Sequence, residues 1–439
     1  MPRVEHPAMD AVHGDPQTTS PRSSRDTGRR WWWWLLLTAL VIVVGVLTVV
    51  MPGRRGWFDI AVYYDTVKAW AHSPGHLYDF VRPGTPYGFT YPPFAAVLML
   101  PMVWLGWHAA IAVNLVITIV SSAFVVFVLV DGIARREGWN RRRTYVIACC
   151  LLLLFEPVRD TISYGQINLE LVALVYADLA LTNSRWSRFA GIGTGVATAI
   201  KLTPGLFIVY FLLTGRWRAA AISGGTAVAA TAVAAIVAPT ASVTYFTKAM
   251  WDTGRVGTFS NTSNQSLMGL VARLHPERPD HALWLLLVVL VLGVWVWRVR
   301  VAKVSGNDRV GFAVTGLTAC LISPITWVHH LVWLLPALVV LADLALRVRP
   351  SDPRRWWRLG GVAGAYLVLC SGVLWIWPHG DTGTVSFFGS NLYVLISLLI
   401  LAFLPFGPIA ATPDGTAPPP EYAEASAEPD VYARANGSR

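Results

Sequence analysis

An acid stands shortly after the first apolar run of the chain, in Trp57-Phe58-Asp59-Ile60-Ala61-Val62-Tyr63-Tyr64. Burial among aromatic and aliphatic neighbours raises a carboxyl pKa, because it penalises the charged form. Such a carboxylate can take the proton of an attacking hydroxyl as general base. The same side chain could equally cap a helix or sit solvated in a loop. Asp65 and Asp79, nearby, are weaker candidates for the same work. The cation to match it is Lys201, in Ala199-Ile200-Lys201-Leu202-Thr203-Pro204, with apolar segments on both sides and no acidic neighbour in sequence. An ammonium at membrane depth is costly and points to an anionic ligand such as a phosphate. The alternative is a lysine that snorkels to the interface along its own methylenes. His329 and His330 close Ser323-Pro324-Ile325-Thr326-Trp327-Val328-His329-His330. At a helix start they project about 100° apart, which makes them poor joint ligands for one metal. One can face a cavity and bind phosphate or sugar while the other packs.

Three further stretches carry polar or aromatic groups. Gln166 and Asn168, in Ser163-Tyr164-Gly165-Gln166-Ile167-Asn168, can bind hydroxyls from a helix start, or can cap and bridge helices. Gly88-Phe89-Thr90-Tyr91-Pro92-Pro93-Phe94 is stiffened by its prolines. Its rings can stack on a sugar or anchor at the headgroup level. Ser260-Asn261-Thr262-Ser263-Asn264-Gln265-Ser266 can bind sugar or phosphate, or be an ordinary polar loop. Arg255 and Arg273 flank it. Their guanidinium groups suit bidentate contact with phosphate, and solvated loop charge is the plainer reading of either. Cys149, Cys150, Cys320 and Cys370 all fall in apolar segments without CxxC or Cys/His spacing, so neither a disulfide framework nor a zinc site is expected.

The elements that hold these residues are read from composition. The chain has 439 residues, 54% hydrophobic and 14% charged, where a soluble domain carries about 25% charge. That excludes a disordered chain, a collagen-like chain and an ordinary soluble enzyme. The net charge of +10 resides mostly in short connections beside apolar runs, where it sets orientation and not nucleic-acid binding. Candidate spans are 31–51, 107–130, 143–158, 166–183, 189–200, 204–214, 218–239, 282–300, 309–323, 327–347, 358–377 and 390–408. A crossing takes about 20 residues, so the shorter ones must be bent, broken or sheltered. The apolar segment 94–106 is re-entrant, interfacial or an extra crossing. Basic connections at 135–143, 185–188, 216–218, 298–309 and 347–358 go to the cytoplasm together. The expectation is an all-α polytopic membrane protein of about twelve helices. Residues 1–30 and 409–439 are expected as disordered cytoplasmic tails around a membrane domain at 31–408. Connections 52–93 and 240–281 are then long outer loops, and Arg54 and Arg55 are exceptions to the charge rule.

Singly these signals are weak, and their order is more specific. Asp59…Val62-Tyr63, Phe89-Thr90-Tyr91-Pro92-Pro93-Phe94, Gly165-Gln166-Ile167-Asn168, Lys201-Leu202-Thr203-Pro204, Asn264-Gln265-Ser266 and Ser323-Pro324…His329-His330 together resemble glycosyltransferase family 87 across residues 55 to 335. The resemblance implies a GT-C membrane fold and an α-1,2-mannosyltransferase that uses polyprenyl-phosphate-mannose. It implies Asp59 as catalytic base, with Lys201 and one of His329 and His330 near the donor phosphate. It does not separate enzymes that extend phosphatidylinositol mannosides from those that branch lipomannan. The expected site adds Arg273 at the donor phosphate. It assigns Tyr63, Tyr91, Gln166, Asn168, Asn264 and Gln265 to sugar and acceptor. The expected reaction is an inverting transfer at the outer face of the plasma membrane onto a mannosylated lipid. No cofactor and no metal ion are expected, since cationic side chains can serve and no DxD-type pair is evident. The rival reading is a multi-pass lipid or solute transporter using Lys201 and the histidines as a substrate or proton path. A structural membrane scaffold is a third.

Overall fold

The computed structural model describes residues 55–405 apart from 74, 183 and 378–382, together with isolated helical positions between 33 and 46. The expected tails at 1–30 and 409–439 lie outside the described residues.

Helices account for the fold, and the only β pairings among the described residues are two isolated bridges. In chain order the helices are α1 (Phe58–His72), α2 (Pro93–Met99), α3 (Trp107–Arg136), α4 (Arg141–Leu154), α5 (Glu156–Tyr164), α6 (Asn168–Thr182), α7 (Ile192–Ile200), α8 (Leu206–Leu213) and α9 (Trp217–Val237). They continue as α10 (Pro239–Thr244), α11 (Leu267–Leu274), α12 (His281–Val304), α13 (Asp308–Ile322), α14 (Leu334–Leu346), α15 (Pro353–Cys370), α16 (Thr384–Ser390) and α17 (Leu392–Phe403). Four helices among the described residues are long and apolar enough to cross a membrane: α3, α9, α12 and the segment Val328–Leu346 that runs into α14. The pair α16 and α17, bent by 63°, makes a fifth candidate.

Several expected spans are broken, and the breaks have local causes. Segment 143–158 divides at Phe155, which is extended at φ −69°, ψ 118° ahead of Pro157. A proline there cannot donate to the preceding turn. Between α7 and α8, Lys201 is extended at φ −149°, ψ 130°, and Pro204 opens a 3-10 turn. Segment 94–106 is α2 continued by a short 3-10 turn, and Pro93–Trp104 is too short to cross unaided. The two long connections are also not plain loops. The first contains α1, and the second contains α10 and α11.

The basic connections gather at one end of the bundle. Arg136 pairs with Asp343, Arg216 with Asp308 at 2.6 Å, and Asp131 with both Arg135 and Arg141 at 2.7 Å. A cavity of about 420 Å³ there is lined by Asp131, Ala180, Asp308, Arg309, Asp343 and Arg347. The apolar interior is divided in two. The larger core is built from α3 to α9, α11 to α15 and α17. A smaller one, at the other end, joins α1 and α2 to Tyr78, Phe89, Tyr91 and Tyr245. Ile60 and Val67 are fully buried in it, and Phe89 meets Tyr63 and Tyr91 edge-on at 6.2 and 5.9 Å. Such edge-to-face contacts add to the stabilisation from burial alone.

Candidate active site

At the end away from the basic connections, an open cavity of about 670 Å³ lies between α1, residues 87–92, Gln166, Lys201, the turn 323–330 and Trp375. That volume falls in the range of small-molecule sites, about 300–1,000 Å³.

Asp59 sits in the first turn of α1. The chain turns into this helix through two successive left-handed residues, Gly56 at φ 61° and Trp57 at φ 57°. Trp57 is the one non-glycine residue with positive φ among the described residues. Its conformation costs on the order of 1 kcal/mol and is held by the Trp57 N–H donating to the Ser163 carbonyl at 3.0 Å. Gln166 Nε2 donates to Asp59 Oδ2 at 2.9 Å. Tyr91 OH in turn donates to Gln166 Oε1 at 2.8 Å, and lies 3.0 Å from Tyr63 OH. The tyrosine therefore fixes which end of the amide faces the acid. Burial pushes the Asp59 carboxyl up to about 7, against the Gln166 hydrogen bond and the Lys201 charge, which pull it down.

The break before α8 delivers Lys201 to the cavity floor. Its Nζ donates to Asn168 Oδ1 at 3.2 Å and lies 2.9 Å from His330 Nε2. It also sits 5.2 Å from the centre of the Tyr91 ring. Burial lowers this ammonium to about 8, opposed by the charge of Asp59. His330 is held from behind, its Nδ1 accepting from the Trp327 N–H at 3.1 Å. His329 is 4% exposed, and neither of its ring nitrogens has a partner among the described residues.

Eight of the sequence candidates line this cavity: Asp59, Tyr63, Tyr91, Gln166, Lys201, Arg255, His329 and His330. Asn168 lies just behind Lys201, in a small adjoining pocket. The tyrosines and the glutamine spend their polar groups on one another and on Asp59, so they position the acid.

Asn264, Gln265 and Arg273 are not brought to the cavity. Asn264 Oδ1 accepts from the Thr326 N–H at 2.9 Å, and its Nδ2 donates to the carbonyls of Phe259 and Pro324. Gln265 Nε2 donates to the carbonyls of Thr262 and Ser390, both at 2.7 Å, and its Oε1 accepts from the Val394 N–H. The Arg273 guanidinium donates to Asn391 Oδ1 and to the carbonyls of Asn261 and Asn264. The physical reason is that irregular backbone buried in a bundle must be satisfied, and these side chains satisfy it. Together they clamp the turn that presents the histidines. Asn264→Ala leaves a buried N–H and two carbonyls without that partner. It is expected to cost about 1–3 kcal/mol of stability, seen as a lower melting temperature in detergent.

Three cavity residues carried little or no sequence signal. Arg55 stood out only as a misplaced positive charge. Trp375 and Tyr87 had none, since a ring near the end of an apolar run is ordinary.

The Gln166 bridge makes a specific prediction. Gln166→Glu replaces the donor facing Asp59 with a second carboxylate, which raises the Asp59 pKa further. If ionised Asp59 is the working form, the rising limb of the pH–rate profile is expected to move to higher pH. Tyr91→Phe should move it the same way by less, because it only frees the amide to turn. An unmoved limb in both variants would remove the bridge from the mechanism.

The long apolar helices and the open polar cavity are those of an integral-membrane protein with a site for a small ligand. The profile of Glycosyltransferase family 87 matches residues 89–324, which contain Tyr91, Gln166, Asn168 and Lys201. Over 347 residues the chain is 31% identical to the polyprenol-phosphate-mannose-dependent alpha-(1-2)-phosphatidylinositol mannoside mannosyltransferase of Mycolicibacterium smegmatis, covering 74% of this chain and 77% of that one. It is 30% identical over 375 residues to the phosphatidylinositol pentamannoside mannosyltransferase of the same organism, covering 82% and 87%. It is 31% identical over 377 residues to the corresponding pentamannoside enzyme of Mycobacterium tuberculosis, covering 81% and 83%. No solved structure matches the chain. The chain belongs to glycosyltransferase family 87. It is an enzyme, which sets aside the transporter and scaffold readings.

Proposed function

We infer that this enzyme transfers mannose from polyprenyl-phosphate-mannose to the 2-hydroxyl of a mannose on a lipid-linked mannoside, with inversion, at the outer face of the plasma membrane. The observation that carries the reading is that Asp59 and Lys201 line one cavity. An acid that can accept a hydroxyl proton faces a cation that can hold a phosphate.

In this reading Asp59 removes the proton of the acceptor 2-hydroxyl as that oxygen attacks the anomeric carbon. The bond from that carbon to the phosphate oxygen breaks on the opposite side. The electron pair leaves with polyprenyl phosphate, whose growing charge is met by Lys201 and by His330 beside it. The proton stays on Asp59 until product leaves. The names of the mycobacterial relatives support the donor and the mannoside acceptor. The sidedness is supported by the basic connections, which occupy the end opposite the cavity, because positive loops remain in the cytoplasm.

The test is direct. The purified full chain in nanodiscs is given polyprenyl-phosphate-mannose and a mannosylated phosphatidylinositol. The expected result is an acceptor longer by one hexose, joined 1→2, with release of polyprenyl phosphate. Absence of any lengthened mannoside acceptor would overturn the reading.

A further inference from the structure

Beside the acid and the lysine, the cavity has a wall that the transfer step leaves unused. Arg55 lies there with its guanidinium 4.8 Å from the Trp375 ring and 5.6 Å from the Tyr164 ring. Only its Nε is engaged, with Asp160 at 3.4 Å, which leaves both terminal amino groups without a protein acceptor among the described residues. Trp375 is fixed in turn by its indole N–H donating to Glu156 at 2.6 Å. The Tyr164 ring packs on His329 at 4.9 Å. His329, 4% exposed and lining the cavity, has two ring nitrogens that bind nothing among the described residues. Buried polar atoms are normally satisfied, and an orphaned imidazole in a cavity wall implies a ligand that completes it.

The chemistry of that ligand follows from the wall. A forked donor held against aromatic rings suits a neutral polyol. The rings take the apolar C–H face, and the fork takes two neighbouring hydroxyl oxygens. The carboxylates of Asp160 and Glu156 directly behind the wall oppose a second anion. We propose that Arg55, Tyr164, Trp375 and His329 form a separate sugar subsite, which holds the pyranose next to the one that receives the new mannose. The acceptor is then read as at least a disaccharide. This rests on the transfer reading above and adds an acceptor-length requirement to it.

The test uses the full chain with polyprenyl-phosphate-mannose and two acceptors, octyl α-mannoside and its α-linked mannobioside. The wild type is expected to prefer the disaccharide in kcat/KM. Arg55→Lys keeps the charge and loses the fork, and Trp375→Leu loses the stacking ring. Each is expected to cost about tenfold on the disaccharide and to leave the monosaccharide within about twofold. Equal losses on both acceptors, or no loss, would overturn the subsite while leaving the transferase reading intact. Full activity of Arg55→Lys beside a loss in Arg55→Gln would also overturn it, since a bare charge would then suffice. If the wild type lengthens no mannoside acceptor, longer mannolipids included, the transfer reading itself fails and the subsite with it.

Discussion

Asp59→Asn is expected to lower kcat by about 10²–10⁴-fold, the usual worth of a general base. The substitution keeps size and an oxygen for Gln166 Nε2, so geometry survives and only basicity is lost. The wild-type rate is expected to rise with pH through about 7, where Asp59 ionises. The charges acting on that group are Lys201, Arg82 and Asp160, of which the first two favour ionisation and the last opposes it. Stability should move the other way from activity. A carboxyl raised from 3.8 to about 7 holds its proton more tightly folded than unfolded. The native state therefore loses stability from this group as pH climbs between those values, and the full loss is in place above them. Asparagine carries no such penalty. Asp59→Asn should thus melt higher than wild type at pH 8 and level with it near pH 4. An inactive variant that also melts lower at pH 8 would point to collapse of the cavity, and an active one would remove Asp59 as the base.

Lys201→Met ranks second, with an expected loss of about 10²–10³ in kcat, the scale for one group that meets charge developing in a transition state. The lysine is lowered to about 8 by burial, so a cationic role ends as pH rises through that value. The wild-type profile should then be bell-shaped, rising near 7 and falling near 8. Lys201→Met should move the rising limb to higher pH, since its charge no longer favours ionised Asp59, and lose the falling one. Lys201→Arg is expected to rescue little, because a planar fork does not fit between Asn168 and His330 as a compact ammonium does. Retention of the falling limb in Lys201→Met would assign that limb to another group.

What could be read from the sequence was whatever carries a cost when misplaced. Lys201 between two apolar runs is expensive, so it signals a purpose wherever the helices go. Pro204 breaks a helix by its own covalent structure, and that break occurs beside Lys201. Asn264, Gln265 and Arg273 were misleading for the opposite reason. A polar run looks the same whether it faces a sugar or buried backbone, and only the packing of residues 323–330 against 261–266 distinguishes the two. Gln166 stood out in the sequence, but its bond to Asp59, 107 positions away, did not. Arg55 and Trp375 are separated by most of the chain, and no spacing rule joins them. Helix α1 was hidden because its buried face is aromatic and mixed, packing on the small core at the cavity end and not on the main bundle.

That division of the interior has a mechanical consequence. In the proposed reaction the acid rides on the lesser of the two cores, while the turn that carries His330 packs in the greater one. Alignment of the proposed base with the phosphate-binding groups therefore depends on contacts that join the two cores, the Gln166–Asp59 hydrogen bond among them.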